Sequence, residues 1–186
     1  TSASTSAPTS APTSYPSLPP TIGSLSPNET LTTNGTIANQ VTSDVILSGT
    51  TIEILNTSLS NSALDYTDEC RFSETMLDSV DLTCSQCVLT TDSEVSNSDL
   101  ECEKGLTIGD SVLNALTVSS AVINVCGTTS LEAQNLAVNE MSVGGNACGS
   151  NTALDLVLGN DDWPFDTVSV SSASLSLISL NVSGTV

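Results

Sequence analysis

The chain is 186 residues long and sets 21 acidic side chains against two basic ones, Arg71 and Lys104, for a formal charge of −19. This excludes nucleic acid and anionic membrane as partners, since clustered Lys and Arg are what grip both. Histidine is absent, which removes histidine-based triads, histidine zinc sites and imidazole switches, and the length admits one folded unit plus a tail.

Residues 1–37 are expected to form an extended arm. The opening TSASTSAPTSAPTSYPSLPP repeats in fours, and the first 37 residues hold six of the seven prolines. Such a segment has almost nothing to bury. Proline favours polyproline II, and hydroxyls packed beside it are the composition of O-glycosylated, mucin-like stalks. Thr5, Ser6, Thr9, Ser10, Thr13, Ser14 and Ser17 are the candidate O-glycosylation sites; a flexible linker is the plainer reading of the same residues. Asn-X-Ser/Thr signals at Asn28, Asn34, Asn56 and Asn181 imply a secretory route.

Residues 38–186 are expected to be a β-rich, disulfide-stapled body. Pairs of apolar or small residues two apart recur every five positions: Thr57/Leu59 and Ser62/Leu64, then Cys70/Phe72, Thr75/Leu77, Val80/Leu82 and Ser85/Cys87, then Ser93/Val95 and Ser98/Leu100. From Leu106/Ile108 the beat passes through Ser111/Leu113, Leu116/Val118, Ala121/Ile123, Cys126/Thr128, Leu131/Ala133, Leu136/Val138 and Met141/Val143 to Leu156/Leu158; Leu175/Leu177 and Leu180/Val182 close the chain. A helix over 131–141 fails, because Gln134 and Asn135 occupy positions that its buried stripe requires to be apolar. Continuous alternation, the mark of long sandwich strands, fails too. The beat suits short extended pieces that point two side chains inward before each corner. Coiled up, such pieces stack into a parallel β-solenoid, with a β-sandwich as the alternative. At about 20 residues per coil and ~4.8 Å per layer the body makes roughly seven coils.

The small-then-large order in Cys70/Phe72, Thr75/Leu77 and Ser98/Leu100 resembles the pentapeptide-repeat family over roughly residues 52–158. That resemblance implies four-sided coils. Phase shifts near 65–69, 88–92 and 101–105 allow an irregular three-sided helix instead. The TSAP-rich arm is similar to the tails of microalgal or protist extracellular surface glycoproteins.

The six cysteines, Cys70, Cys84, Cys87, Cys102, Cys126 and Cys148, are an even number in a chain with glycosylation signals, which favours disulfides in an oxidising compartment. Cys126 and Cys148 are spaced by close to one coil and form a candidate rung-to-rung bridge; the other four are expected to pair among themselves. Cys84 and Cys87 make a CxxC, but no thioredoxin-like strand and helix surround it.

GNDDWPFD at 159–166 interrupts the beat. Asp161, Asp162 and Asp166 are calcium candidates, although their spacing matches no EF-hand or RTX pattern, and Trp163 and Phe165 are candidate partner contacts. DYTDE at 65–69 reads as a solvated loop. Carboxylate pairs do glycosidase work, but only with groups that grip sugar and raise one pKa, and those are scarce here. No catalytic residue, cofactor or metal is expected beyond covalent glycans. The expectation is a structural subunit of an extracellular glycoprotein filament or surface coat, secreted or at the cell surface. It would assemble with copies of itself through the arm and the ends of the body, without membrane insertion. A monomeric stalked adhesin or glycan-binding module is the alternative. SLNVSGTV breaks off within a strand-like pattern, which points to a longer precursor.

Overall fold

The computed structural model describes residues 21–144, 152–158, 167–170 and 175–182. Every regular element among them is a strand. In chain order these are β1 (Thr30–Thr32), β2 (Gly35–Ala38), β3 (Val41–Ser43), β4 (Ile46–Leu55), β5 (Ser58–Ser60), β6 (Ala63–Ser73), β7 (Met76–Asp78) and β8 (Asp81–Thr90). They continue as β9 (Glu94–Ser96), β10 (Asp99–Gly109), β11 (Val112–Cys126), β12 (Thr128–Val143), β13 (Thr152–Leu158), β14 (Thr167–Val170) and β15 (Leu175–Val182). All strand pairs are parallel, and the chain winds as a β-solenoid of about 6 turns. The stretch 131–141 lies within β12, in agreement with the rejection of a helix there.

From β2 to β12 a coil closes in 17 or 18 residues, and beyond β12 the coils lengthen, Thr128 lying beside Ala153. Ile46 lies beside Ala63, Ala63 beside Asp81, Asp81 beside Asp99 and Asp99 beside Thr117. Each coil has three sides. A short strand, β3, β5, β7 or β9, makes one. The long strand that follows makes two, turning where its register slips: between Gly49 and Thr51 in β4, Tyr66 and Glu69 in β6, and Cys102 and Gly105 in β10. In β11 the short side runs on into the long ones, so Val112 pairs with Glu94 of β9 while Thr117 pairs with Asp99 of β10.

The four-sided coil is therefore replaced by the irregular three-sided one. Thr75/Leu77, Val80/Leu82 and Ser85/Cys87 keep the five-residue beat and are buried. The third side then runs on through buried Leu89, and the beat restarts at Ser93/Val95. That longer side is why the phase slips near 88–92. Where it ends, Thr91 and Asp92 both take positive φ.

Most inward pairs fill one apolar column, from Ile37 and Leu47 through Leu64, Leu82 and Leu100 to Val118 and Val138. Among the described residues three pairs depart from full burial: Ala121 and Leu136 are half-buried, and the Cys126/Thr128 pair is displaced. Gly127, at φ +65°, turns its corner one position late, so Thr129 is buried and Thr128 exposed.

Where the small member of a pair is a Ser or Thr directly after a positive-φ residue, it makes a corner bond; Ser85, within β8, has a buried hydroxyl without a partner. Asn56, Asn61, Glu74, Asn97 and Asp110 hold positive φ, a region that short polar side chains tolerate best, and a Ser or Thr follows each one. The hydroxyl points inward and donates to the carbonyl two residues back: Ser62 Oγ to Ser60 O at 2.7 Å, Ser98 Oγ to Ser96 O at 2.7 Å, and Ser111 Oγ to Gly109 O at 2.7 Å. The same oxygen accepts from the previous coil, Ser62 from Val45 N at 3.2 Å and Ser98 from Val80 N at 3.0 Å. A buried hydroxyl thus satisfies two main-chain groups that the corner would strand.

Residues 21–26 fold over the first coil. Ile22 N donates to Thr36 O at 2.8 Å, Leu25 joins the core, and Gln40 holds the segment by accepting from Leu25 N at 2.7 Å and donating to Gly23 O at 3.0 Å.

Replacing one such hydroxyl leaves a buried donor and acceptor unpaired. Ser98→Ala should cost about 1–3 kcal/mol, read as a lower urea midpoint at unchanged slope, while Ser119→Ala on the exposed face should stay within ~0.5 kcal/mol.

Candidate functional site

A surface groove of about 340 Å³ is bordered by Asp92, Glu94, Asp110 and Thr128. Asp110 Oδ1 is engaged, accepting from Thr128 N at 2.8 Å. The groove has no basic or aromatic lining, hence nothing to hold an anion or stack a sugar ring. No group of three or more acidic or cysteine side chains converges on a metal-sized site among the described residues. Asp161, Asp162, Trp163, Phe165 and Asp166 lie outside the described residues, as do Cys148 and the seven hydroxyls from Thr5 to Ser17.

The glycosylation signals that can be examined sit at exposed corners. Asn28 is exposed at φ 62° in a turn, and Asn56 is exposed at φ 43° with its Nδ2 donating to Asn39 Oδ1 at 2.8 Å on the coil below. Asn34 is exposed, and its Oδ1 accepts from Thr50 N at 2.5 Å and Thr51 N at 3.2 Å, where β4 turns. Gly49 is required there, because a Cβ would run into Thr33 O and Asn34 Oδ1. A sugar on Asn34 Nδ2 leaves Oδ1 free to keep both bonds, and a glycosylated Asn56 Nδ2 keeps one proton for Asn39 Oδ1. Asn181 lies in β15, whose side chains are outside the description.

DYTDE is not a loop. It is the turn within β6, and Tyr66 is buried, its hydroxyl without a hydrogen-bond partner. Glu69 forms the bidentate ion pair with Arg71, Nε to Oε2 and Nη2 to Oε1, both 2.8 Å. In that solvated setting the pair is worth about 0–1 kcal/mol.

Cys87 and Cys102 form a disulfide between successive coils, Cα–Cα 5.8 Å. Cys126 is disulfide-bonded as well. Cys70 and Cys84 depart from the expected full pairing: they are buried thiols on successive coils, and Tyr66 lies beside Cys84 in the ladder. The bridge marks an oxidising compartment. No helix among the described residues is long and apolar enough to cross a membrane.

Two surfaces remain as candidates for contact with other molecules. One is the edge of the first coil, where β1 and β3 end the path of paired strands and each has one strand partner among the described residues. Val41 on β3 is 87% exposed. The other is the short-strand side, whose outward positions form a column of Val41, Ser58, Met76, Glu94 and Val112. Sequence reading missed both Tyr66 and this column, since each depends on where the long side turns.

No protein-family model matches the chain, and neither a curated protein nor a solved structure is significantly similar to it. The likeness to pentapeptide repeats is confined to the repeating parallel solenoid.

Like charges stack on the outer faces, Asp81 directly beside Asp99. Raising ionic strength from 10 mM to 500 mM, about a fourfold or greater contraction of the screening length, should raise the melting temperature, and Asp81→Asn should shrink the increment. On another face Asp78 accepts from Asn97 Nδ2 at 2.9 Å and Ser96 Oγ at 3.0 Å. These bonds hold its carboxyl below the usual range, Asn97 contributing most. The lowered value means that the contribution is present above the ordinary carboxylate pKa and disappears as pH falls through the folded one. In Asn97→Ala, Asp78 should titrate at higher pH by carboxylate NMR; an unmoved titration would refute the assignment.

Proposed function

We propose that the chain is a structural subunit of a secreted, glycosylated filament or surface coat, which assembles by adding a strand of one copy to the first-coil edge of another. The observation that carries this reading is the pair of edge strands β1 and β3, each with a single strand partner among the described residues. Main-chain donors and acceptors at such an edge are a template for β-augmentation. The edge carries neither proline nor lysine, the residues that usually blunt one. Residues 21–26 cover the apolar end of the column, so the contact is made by backbone and by Val41, and the core stays closed. The like charge of neighbouring copies opposes association until contacts are within the ~8 Å screening length at physiological salt. This favours short, specific strand contacts over loose aggregation. Sugars at Asn28, Asn34 and Asn56 would sheathe the sides. Residues 21–37, expected as part of the arm, belong to the first coil as its covering segment, β1 and β2, so residues 1–20 are the part of the arm that would reach a neighbour.

Electron microscopy and sedimentation of the purified full chain test the reading. Filaments or large assemblies are expected, with Val41→Lys and Thr32→Pro each lowering the assembled fraction at least tenfold while circular dichroism stays β-type. Assembly unchanged in both variants would reject the edge. Isolated particles in the unaltered protein would reject the polymer and favour a stalked adhesin or glycan-binding module.

A further inference from the structure

We propose that Cys70 and Cys84 are a second inter-coil disulfide, built on the same plan as Cys87–Cys102 and one coil earlier. The argument is positional. Cys87 stands beside Cys70, and Cys102 beside Cys84, as direct partners in the parallel ladder. The Cys87–Cys102 bridge joins a residue just past the long strand's turn to one just before the turn of the next coil. Cys70 follows the turn of β6, and Cys84 precedes the corresponding point of β8. Moving the observed bridge down by one rung therefore superposes it on the thiol pair. Both thiols are buried in the same apolar column, on successive coils.

The surroundings agree. Cys70 is 0% and Cys84 2% exposed, and the unpartnered Tyr66 hydroxyl is buried beside them. Cys70 is pushed up by its hydrogen bond to Cys84, by burial, and by the charges of Cys84, Glu69 and Asp65. Cys84 is lowered, chiefly by the Cys70 hydrogen bond, and its Sγ also lies 3.4 Å from Asp68 O and 3.3 Å from Gln86 O. Bridging removes two ionisable groups from an acidic, poorly solvated place.

The oxidant is an external disulfide, either a small molecule of the glutathione type or a disulfide on an oxidoreductase. One of the two cysteines gives its proton to solvent, and its thiolate attacks one sulfur of the external disulfide, expelling one thiolate. The other, deprotonated in turn, attacks the first cysteine's sulfur in the mixed disulfide and expels the second. Two cysteines lose two electrons, one external disulfide gains them, and the two protons finish on the released thiols. Burial of both sulfurs places this exchange before the coils close during folding.

The test uses the full chain secreted through an oxidising pathway. It is denatured in guanidinium chloride at pH 8 with excess iodoacetamide, so that free thiols are capped as they are exposed, digested with Glu- and Asp-specific proteases without reductant, and analysed by mass spectrometry. The peptide holding Cys70 should be unalkylated and linked to the peptide holding both Cys84 and Cys87, with electron-transfer fragmentation placing the link on Cys84. In Cys87→Ser/Cys102→Ser that link should persist, since only Cys84 remains in the acceptor peptide. Carboxamidomethyl groups on Cys70 and Cys84 in the unaltered chain would overturn the proposal, as would a link from Cys70 to Cys87. Should the double variant fail to be secreted, the unaltered chain alone decides.

Discussion

Backbone hydrogen bonds in this protein run along the axis, from each coil to the one above and the one below, and no side of a coil satisfies itself. A coil of 17 or 18 residues is stable only as part of a stack, the condition under which solenoids behave as one-dimensional arrays. Everything else follows from keeping consecutive coils in register. Corner residues with positive φ fix where each side ends, the inward hydroxyl after them ties its own coil's carbonyl to the previous coil's amide, and the apolar column grows one rung at a time. The first rung is the exception, and there Gln40 and Leu25 hold a short covering segment in place.

Much of this was legible from the amino acids. The pairs Ser93/Val95, Ser98/Leu100 and Ser111/Leu113 are buried as the beat required, because an inward position on a thin coil tolerates few residue types. The number of sides was not legible. It depends on a side lengthened by one further inward residue, Leu89, and local spacing does not distinguish a longer side from a phase error. A second periodicity carried that information: Asp44, Asn61, Ser79 and Asn97 all have positive φ and recur at the coil length. Tyr66 was hidden for a related reason. Its acidic neighbours Asp65, Asp68 and Glu69 describe the outside of a turn, while alternation places the one large ring inside. Cysteine pairing stayed open because in-register and diagonal partners are equally close in sequence, and the arm and the Trp163 segment fall outside the described residues.

Charge and thinness shape the molecule together. With 3% aromatic residues, the column is filled by Leu, Val, Ile and small hydroxyls, so each rung adds little apolar surface. Among the described residues no acidic side chain is buried, and like charges on the outer faces oppose lateral contact. The edge of the first coil is the place where main-chain bonding can offset that repulsion. Covalent links between coils compensate for the thin interior without enlarging it.

The Cys87–Cys102 bond has a mechanical consequence. If tension is applied at the two termini, coils peel away from the ends in succession, and each releases its contour. The loop closed by the bond, with a sequence separation of 15, cannot pay out, which withholds on the order of 50 Å of extension at ~3.4 Å per residue. The stretch from β8 to β10 would then act as an inextensible clasp within the unravelling coils, and reductant would convert it to slack.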